Sequence, residues 1–287
     1  MTENINTENQ QTSPSTESRN APGDAIQMMS HDVIGSGPPL VMLGGGATGI
    51  RGLQMHAERL SGHRTAVRLQ TLNVDWGTRD FPLAPDYSVK SESRAMRATI
   101  EALGLSYPID IMGWCLGGIV ALDFALDSIE MVRSLVLVEP AAYWALEQAL
   151  NTDAEYKEMM SFFRGFVGDI TREQIERLRI SLGDQPGRFE NEEQIMQIWM
   201  QYRGSLRCMP AVASYADTLE RVRGLEKPVL LVEGKDSMRI YRSINDVLER
   251  SLPNVRRVKL PGGHASSTES IDLFMEVLTS FHAGVEG

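Results

Sequence analysis

The sequence predicts an α/β fold in which a mostly parallel central sheet is flanked by helices and carries a helical cap insertion. Three observations support this prediction. From about Ile26 onward, short apolar runs alternate with longer amphipathic stretches, the pattern of strands and helices that take turns along a chain. Most apolar runs are continuous, as expected for strands covered on both faces of a parallel sheet. One long interval, residues 141–223, contains amphipathic helical pieces and no good strand.

The apolar runs and the amphipathic stretches give the order of the elements. The predicted strands are residues 39–43, 66–74, 109–112, 134–138, 228–232 and 255–260, with an earlier peripheral strand around His31. The predicted helices of the core are residues 87–103, 116–129, 240–252 and 270–282, where apolar residues recur at helical spacing.

The domain organisation follows from the interruption of this alternation. We expect a core formed by residues 25–140 and 224–287, and a helical cap formed by residues 141–223. Residues 1–24 are polar and poor in apolar side chains, so they are predicted to be a disordered tail. Ligand sites in open α/β sheets lie at the carboxyl edge of the strands, and the cap would cover that edge.

Composition and charge exclude several classes of protein. Apolar residues make up 42% of the 287 residues, which is enough for a buried core. The 28 basic and 38 acidic residues give a net charge of −10, which argues against nucleic acid or an anionic membrane as the main partner. The longest apolar run, residues 111–122, is too short to span a bilayer, and the polar start lacks a secretory signal. A soluble, cytoplasmic protein is expected.

The most informative motif is Gly-Trp-Cys-Leu-Gly-Gly at residues 113–118, which follows an apolar strand and precedes a helical pattern. Glycines around one nucleophilic residue permit a tight strand-to-helix turn that lifts its side chain out of the sheet. The amides and the positive dipole end of the following helix favour a thiolate and a developing oxyanion. We therefore predict that Cys115 is a nucleophile, whereas Cys208 lacks such a context and is predicted to be an inert buried cysteine. Two cysteines cannot form a disulfide framework, and no CxxC pair indicates a metal site.

A thiolate nucleophile needs a base, and one histidine stands in a suitable place. His264 ends a Pro-Gly-Gly-His turn after the predicted strand 255–260, beyond its carboxyl end. His31 and His282 are expected to be solvated, and His56 and His63 to have local roles. His264 is therefore the predicted catalytic base.

Two carboxylates could orient this histidine. Asp236 follows the predicted strand 228–232, and Glu139 follows the predicted strand 134–138. Both would lie at the carboxyl edge of the sheet, where a carboxylate can hold the imidazole tautomer. The residues alone leave the choice between them open.

These motifs and their order resemble the α/β-hydrolase superfamily, from about residue 26 to the C-terminus. The order Cys115, Asp236, His264 is similar to the nucleophile, acid, histidine order of that superfamily, and it favours Asp236 over Glu139. Some members instead place the acid after the preceding central strand, where Glu139 stands, and the slot three places after Gly234, a frequent acid position, holds a serine here.

The resemblance also implies an oxyanion hole and a substrate site. The oxyanion donors would be the backbone amides of Gly46, in a Gly-Gly-Gly turn after the strand 39–43, and of Leu116. Gly45, Trp114 beside the nucleophile and Trp144 in the cap are the predicted substrate-binding residues. The many methionines and aromatic residues of the cap line an acyl pocket or form the core of the helical layer.

A cysteine in place of the usual serine resembles the elbows of dienelactone hydrolases and polyhydroxyalkanoate synthases. This resemblance implies hydrolysis of an ester, thioester or lactone of a small apolar or biosynthetic acyl substrate, which could be carrier-bound. A thioester acyl-enzyme also passes its acyl group to an amine, alcohol or thiol, so an acyltransferase or cyclase is the first alternative. A non-catalytic ligand-binding protein is the second. We expect no cofactor and no metal, and a homodimer is compatible with the sequence.

Overall fold

The computed structural model describes residues 27–183 and 191–286. The predicted disordered tail, residues 1–24, and residues 184–190 of the predicted cap lie outside this part of the chain. The described residues form one seven-stranded sheet in the order β1-β3-β2-β4-β5-β6-β7. Its strands are β1 (His31–Gly35), β2 (Pro39–Leu43), β3 (Thr65–Leu69), β4 (Ile109–Trp114), β5 (Val132–Val138), β6 (Val229–Gly234) and β7 (Val255–Leu260). The predicted α/β class with a mostly parallel sheet is confirmed.

The register of the sheet brings several loops to one edge. Strand β1 pairs antiparallel with β3, and every other neighbouring pair is parallel. Leu43 of β2 is paired with Gly113 of β4, and Val138 of β5 is paired with both Trp114 and Val232. Because these parallel strands end at nearly the same level, the loops that follow β2, β4, β5 and β6 begin side by side.

Helices cover both faces of the sheet. The helices of the core are α1 (Gln54–Leu60), α2 (Leu72–Gly77), α3 (Val89–Ala102), α4 (Leu116–Asp127), α11 (Arg239–Ser251), α12 (Ser266–Glu269) and α13 (Ile271–Glu286). The helices between β5 and β6 are α5 (Trp144–Gln148), α6 (Ala154–Arg164), α7 (Arg172–Ser181), α8 (Glu192–Gln201), α9 (Met209–Ser214) and α10 (Leu219–Arg223). Short 3-10 turns lie at Gly49–Leu53, Ile129–Met131 and Arg203–Cys208.

One predicted strand is shorter in the structure and is followed by a helix. The run 66–74 was expected to be extended throughout, but β3 ends at Leu69 and helix α2 begins at Leu72. The cause is a tertiary contact, because the buried carboxylate of Glu92 in α3 accepts hydrogen bonds from the Leu72 and Asn73 amides at 2.8 and 3.0 Å. These two amides belong to the first turn of α2, where no intrahelical acceptor is available.

The insertion between β5 and β6 consists of helices joined by loops in its described residues, 141–183 and 191–223, and these residues contain no strand. It docks closely on α2, because a Cβ added at Gly77 would lie 2.1 Å from the backbone nitrogen of Ser205. Its apolar side chains pack into the main core or against it: Trp144, Met159, Met160, Phe162, Phe163, Met196, Trp199, Met200 and Met209. Many of them therefore serve the packing of this helical layer.

Helix α13 changes the environment expected for one histidine. His282 was predicted to be solvated, and this prediction is wrong because the side chain is buried. The apolar face of α13 packs against the sheet through Phe274, Leu278 and Phe281. His282 lies next to Phe281 on the same helix and is buried with it. No helix in the described ranges is long and apolar enough to cross a membrane.

Candidate active site

The site begins at the sharp turn between β4 and α4. Cys115 occupies this turn with φ of 54° and ψ of −112°, a left-handed conformation that is costly for a residue with a side chain. Its amide donates to the carbonyl of Val138 at 3.0 Å, and its carbonyl accepts from the Ala141 amide at 3.1 Å. Both bonds tie the turn to the segment after β5. The Cys115 side chain is half-buried, as a nucleophile that receives a substrate must be.

Close backbone approaches explain the glycines of the elbow. A Cβ at Gly113 would lie 2.2 Å from the carbonyl oxygen of Gly117, and a Cβ at Gly117 would lie 2.4 Å from the carbonyl oxygen of Leu43. Neither position has room for a side chain. The turn can therefore present Cys115 above the sheet edge only with glycine at both positions.

His264 lies on the loop after β7 and contacts the cysteine. Its Nδ1 atom lies 2.7 Å from Oε2 of Glu139, and its ring faces the Cys115 side chain. Burial by itself would lower the pKa of His264, but the facing Cys115 and Glu139 groups raise it to about 10. This arrangement favours an imidazolium between two acidic groups at neutral pH.

Glu139 is held from two sides by the loop that follows β6. Its Oε1 accepts the Gly234 amide at 2.8 Å, and its Oε2 accepts the Ser237 hydroxyl at 2.7 Å as well as the imidazole. The side chain is fully buried, and the residue has a positive φ of 42°. The Glu139 carboxylate therefore accepts three of the roughly four hydrogen bonds that a carboxylate can accept. These bonds fix the orientation of the carboxyl group.

Asp236 does not take the place that the residue order favoured. The structure places its side chain in solvent, and its backbone amide binds the Gly262 carbonyl. The β6 loop instead turns the next residue, Ser237, inward toward Glu139. The imidazole therefore meets the carboxylate from the β5 loop, and Asp236 is not positioned to orient it.

The predicted oxyanion donors lie next to each other. Leu116 is the first residue of α4, so its amide has no acceptor within the helix. A Cβ at Gly46 would lie 3.1 Å from Cδ2 and 3.3 Å from Cβ of Leu116, so the Gly46 backbone is close to the Leu116 side chain. The loop after β2 is anchored by the Gly117 amide, which donates to the Gly44 carbonyl at 3.1 Å.

Asn73 holds the loop that carries Gly46. Its Nδ2 donates to the Gly46 carbonyl at 2.8 Å, to the Ser205 carbonyl at 2.9 Å, and points at Cys208 Sγ at 3.4 Å. A single amide thereby links the loop after β2 to the helical insertion. Cys208 is fully buried, and burial raises the pKa of its thiol, in keeping with the predicted inert role.

The three predicted substrate-binding residues lie in different environments. A Cβ at Gly45 would lie 3.8 Å from Cys115 Cβ and from the Trp114 ring, so Gly45 borders the nucleophile. The Trp114 ring is half-buried, lies 5.8 Å from the His264 ring and donates from Nε1 to the His264 carbonyl at 3.0 Å. Trp144 is buried, and within the described chain its Nε1 has no hydrogen-bond partner.

Sequence reasoning missed Tyr143, Tyr241, Asn73 and Ser237. Tyr241 stacks on the His264 ring with centroids 4.3 Å apart and planes at 26°, and its hydroxyl lies 3.0 Å from that of Tyr143. Asn73 and Ser237 carried a signal, because each follows a central strand at the carboxyl edge. The two tyrosines had no such signal, because they lie on helices or helix starts far apart in the chain.

No group of three or more potential metal ligands occurs among the residues with described positions. The described site brings together the thiol of Cys115, the imidazole of His264 and the buried carboxylate of Glu139.

Comparison with known proteins agrees with this architecture. The chain is 24% identical over 249 residues to the protein named "Putative carbamate hydrolase RutD" of Klebsiella pneumoniae (strain 342), covering 84% of this chain and 90% of the relative. It is 25% identical over 247 residues to the pimeloyl-[acyl-carrier protein] methyl ester esterase of Nitrosomonas europaea, covering 82% and 91%. The solved structure of an esterase from Exiguobacterium antarcticum superposes with a TM-score of 0.73 at 19% identity, covering 90% of this chain and 96% of that chain. Residues 40–276 match the model of the alpha/beta hydrolase family, and the chain belongs to that family.

Proposed function

We propose that this protein is an acyl hydrolase that works by covalent catalysis through Cys115. The observation that carries the proposal is the imidazole of His264, which faces Cys115 and is held by Glu139 with 2.7 Å between Nδ1 and Oε2. A nucleophile, a base within hydrogen-bond reach and a third group that orients the base form the arrangement required for activated nucleophilic catalysis. Membership of a hydrolase family supports the same reaction class.

We propose a thiolate on Cys115 and an imidazolium on His264 as the resting pair, and the pKa of His264, raised to about 10, supports the imidazolium. In the first step the Cys115 sulfur attacks the substrate carbonyl carbon, and the carbonyl π electrons move onto its oxygen. The Gly46 and Leu116 amides would bind that oxyanion. As the intermediate collapses, the bond to the leaving group breaks, and the leaving group takes the proton from His264. A thioester on Cys115 and a neutral imidazole remain.

The second step reverses these roles. The neutral His264 takes a proton from water, and the water oxygen attacks the thioester carbonyl. The carbon–sulfur bond then breaks, the acid product leaves, and the thiolate and imidazolium are restored. Glu139 keeps Nδ1 protonated throughout, so that Nε2 is the nitrogen that exchanges the proton with substrate.

We propose esters, thioesters, lactones or carbamates of small acyl groups as substrates. The names of the relatives point to carbamates and to a methyl ester on an acyl-carrier protein, and both are carbonyl compounds with a leaving group. The helical insertion, residues 141–223, would act as a cap over the site. Asn73 supports this arrangement, because it binds both the loop after β2 and the Ser205 carbonyl of the insertion.

The proposal is tested by intact-protein mass spectrometry after brief exposure to a panel of acyl thioesters, activated esters and aryl carbamates. We expect an acyl adduct on Cys115 that forms slowly in His264→Ala and is absent in Cys115→Ala. Cys208→Ala is the matched control, because that thiol is buried and its adduct yield should equal that of the wild type.

The decay of the adduct identifies the second step. Hydrolysis predicts decay in buffer alone, whereas an acyltransferase or cyclase predicts decay only when an amine, alcohol or thiol acceptor is present. Equal labelling of Cys115 and Cys208 would contradict an activated nucleophile. Binding of a substrate with no adduct and no turnover, unchanged in Cys115→Ala, would favour the non-catalytic alternative.

A further inference from the structure

His264 lies on a loop that does not hold the ring by itself. The residues before it are Gly262, with φ of +101°, and Gly263, and neither has a side chain that could contact the imidazole. The restraints on the histidine come from elsewhere in the chain. Glu139 binds Nδ1, and the Trp114 indole donates to the His264 carbonyl at 3.0 Å.

A third restraint acts on the face of the ring. Tyr241, in the first turn of α11, stacks on the imidazole, with ring centroids 4.3 Å apart and ring planes inclined by 26°. Its own hydroxyl is anchored 3.0 Å from the Tyr143 hydroxyl, and the Tyr143 ring packs against Phe163 at 5.5 Å. Both tyrosines are buried, so the ring that contacts His264 is fixed at its backbone end and at its hydroxyl end.

We propose that Tyr241 is a positioning residue whose ring holds His264 in the orientation that reaches Cys115 and Glu139 together, and that it favours the imidazolium form. This inference rests on the proposed function of His264 and extends it to a residue outside the triad. An aromatic face attracts a cation, and the attraction is larger in a site that is removed from water. A neutral imidazole gains less from the same contact, so the stack stabilises the protonated state selectively.

The charged and titratable groups around the imidazole come from several elements. Cys115 of the elbow and Glu139 after β5 bind the ring, and Tyr241 of α11 covers one face. The Glu269 carboxylate of α12 accepts a hydrogen bond from the backbone amide of Gly263, the residue before His264, at 3.0 Å. A change at Tyr241 leaves the two carboxylates and the thiol in place, so its effect on the titration of His264 can be separated from theirs.

The test compares Tyr241→Leu and Tyr241→Met, which remove the aromatic face, with Tyr241→Phe, which keeps it and loses only the hydroxyl. Two measurements are made on each full-length variant: the pKa of His264 by NMR of the labelled imidazole, and the pH profile of kcat/KM. Phe274→Leu is the matched control, because it removes a ring that lies 5.4 Å from a different buried histidine, His56.

We expect the two aliphatic variants to lower the pKa of His264 by about one unit, equivalent to about 1.4 kcal/mol. They should lower kcat about 10-fold or more with little change in KM, because they misplace the base in the transition state. Tyr241→Phe should keep the pKa of His264 and kcat close to the wild-type values. Phe274→Leu should leave the pKa of His264 unchanged. Methionine has a flexible side chain that adapts to irregular gaps, so Tyr241→Met replaces Tyr241→Leu if the latter does not fold.

A wild-type pKa and a wild-type kcat in folded Tyr241→Met would overturn the proposal. So would equal damage in Tyr241→Phe and Tyr241→Met, because the hydroxyl bond rather than the ring face would then matter. If no substrate is turned over by the wild type, the hydrolase proposal fails, but the NMR titration still decides whether Tyr241 stabilises the imidazolium.

Discussion

Glu139 Oε2 lies 2.7 Å from His264 Nδ1, although the two residues are 125 positions apart and belong to the loops after β5 and β7. The β6 loop between them supplies two further donors to the carboxylate, the Gly234 amide and the Ser237 hydroxyl. The three loops thus form one buried hydrogen-bonded unit beside Cys115. A carboxylate in such a unit orients the base without entering the reaction itself.

The first prediction concerns the choice of acid. Glu139→Gln should lower kcat about 10²–10⁴-fold, because an amide does not hold the imidazole in the protonated tautomer at Nδ1. Asp236→Asn should change kcat by less than about threefold, since its side chain lies in solvent. Steady-state kinetics, or the rate of adduct formation on Cys115, measures both. A large loss in Asp236→Asn with a normal Glu139→Gln would reverse the assignment.

The second prediction is the pH dependence of the reaction. The pKa of His264 is about 10, above its ordinary value of 6.5, so the imidazolium is complete at neutral pH and is lost as the pH rises through 10. We expect the pH profiles of kcat/KM and of the alkylation rate of Cys115 to have an alkaline limb near pH 10. Glu139→Gln removes a negative neighbour and should move this limb down by about 1–3 units. An alkaline limb at the same pH in wild type and Glu139→Gln would contradict the electrostatic role of Glu139.

The third prediction tests the support of the oxyanion loop. Asn73→Leu should lower kcat about 10-fold or more, because the Gly46 carbonyl loses the donor that fixes its peptide. It should also lower the free energy of unfolding by about 1–3 kcal/mol for each buried carbonyl left without a donor. Asn245→Leu is the control, since Asn245 is equally buried but binds Glu233, outside the site. That variant should lose stability and keep kcat; an equal loss of kcat in both would assign the effect to stability alone.

The fourth prediction concerns acid stability. His56 is buried beside Ser267, and burial lowers its pKa to about 4 from the ordinary 6.5. The unfolded chain therefore binds this proton first, and the free energy of unfolding should fall as the pH drops from about 6.5 toward 4, by about 3 kcal/mol in all.

Urea unfolding as a function of pH measures this effect. His56→Gln should flatten the dependence between pH 4 and 6.5, whereas His63→Gln, at an exposed position, should leave it unchanged. Equal slopes in the wild type and in His56→Gln would exclude His56 as the source.

The fifth prediction concerns the elbow. Gly117→Ala should destabilise the fold by about 1–3 kcal/mol or more and abolish turnover, because its Cβ would lie 2.4 Å from the Leu43 carbonyl oxygen. Gly62→Ala, where nothing lies within 4 Å of the added Cβ, should have no such effect. Thermal unfolding and kinetics of the two variants give a direct comparison, and a normal Gly117→Ala enzyme would show that the turn has room to relax.

Most elements of the fold could be predicted because their signals are local. The continuous apolar runs predicted β2 and β5 within a few residues, and the strand, glycine and helix pattern at residues 109–126 predicted the elbow. The run 66–74 was misjudged because the helix start at Leu72 depends on Glu92, twenty residues away, and its apolar letters alone do not distinguish a strand from a buried helix.

The sequence by itself determined the α/β class and identified Cys115 and His264 as the candidate nucleophile and base. These depend on residue types in a fixed local context: glycines at a turn, a helix after it, and a histidine after a strand. Only the tertiary structure placed Glu139, and not Asp236, against His264, and only it brought Tyr241 to the face of His264. Both outcomes depend on where loops from separate strands converge and which way each side chain turns, and no local pattern carries that information.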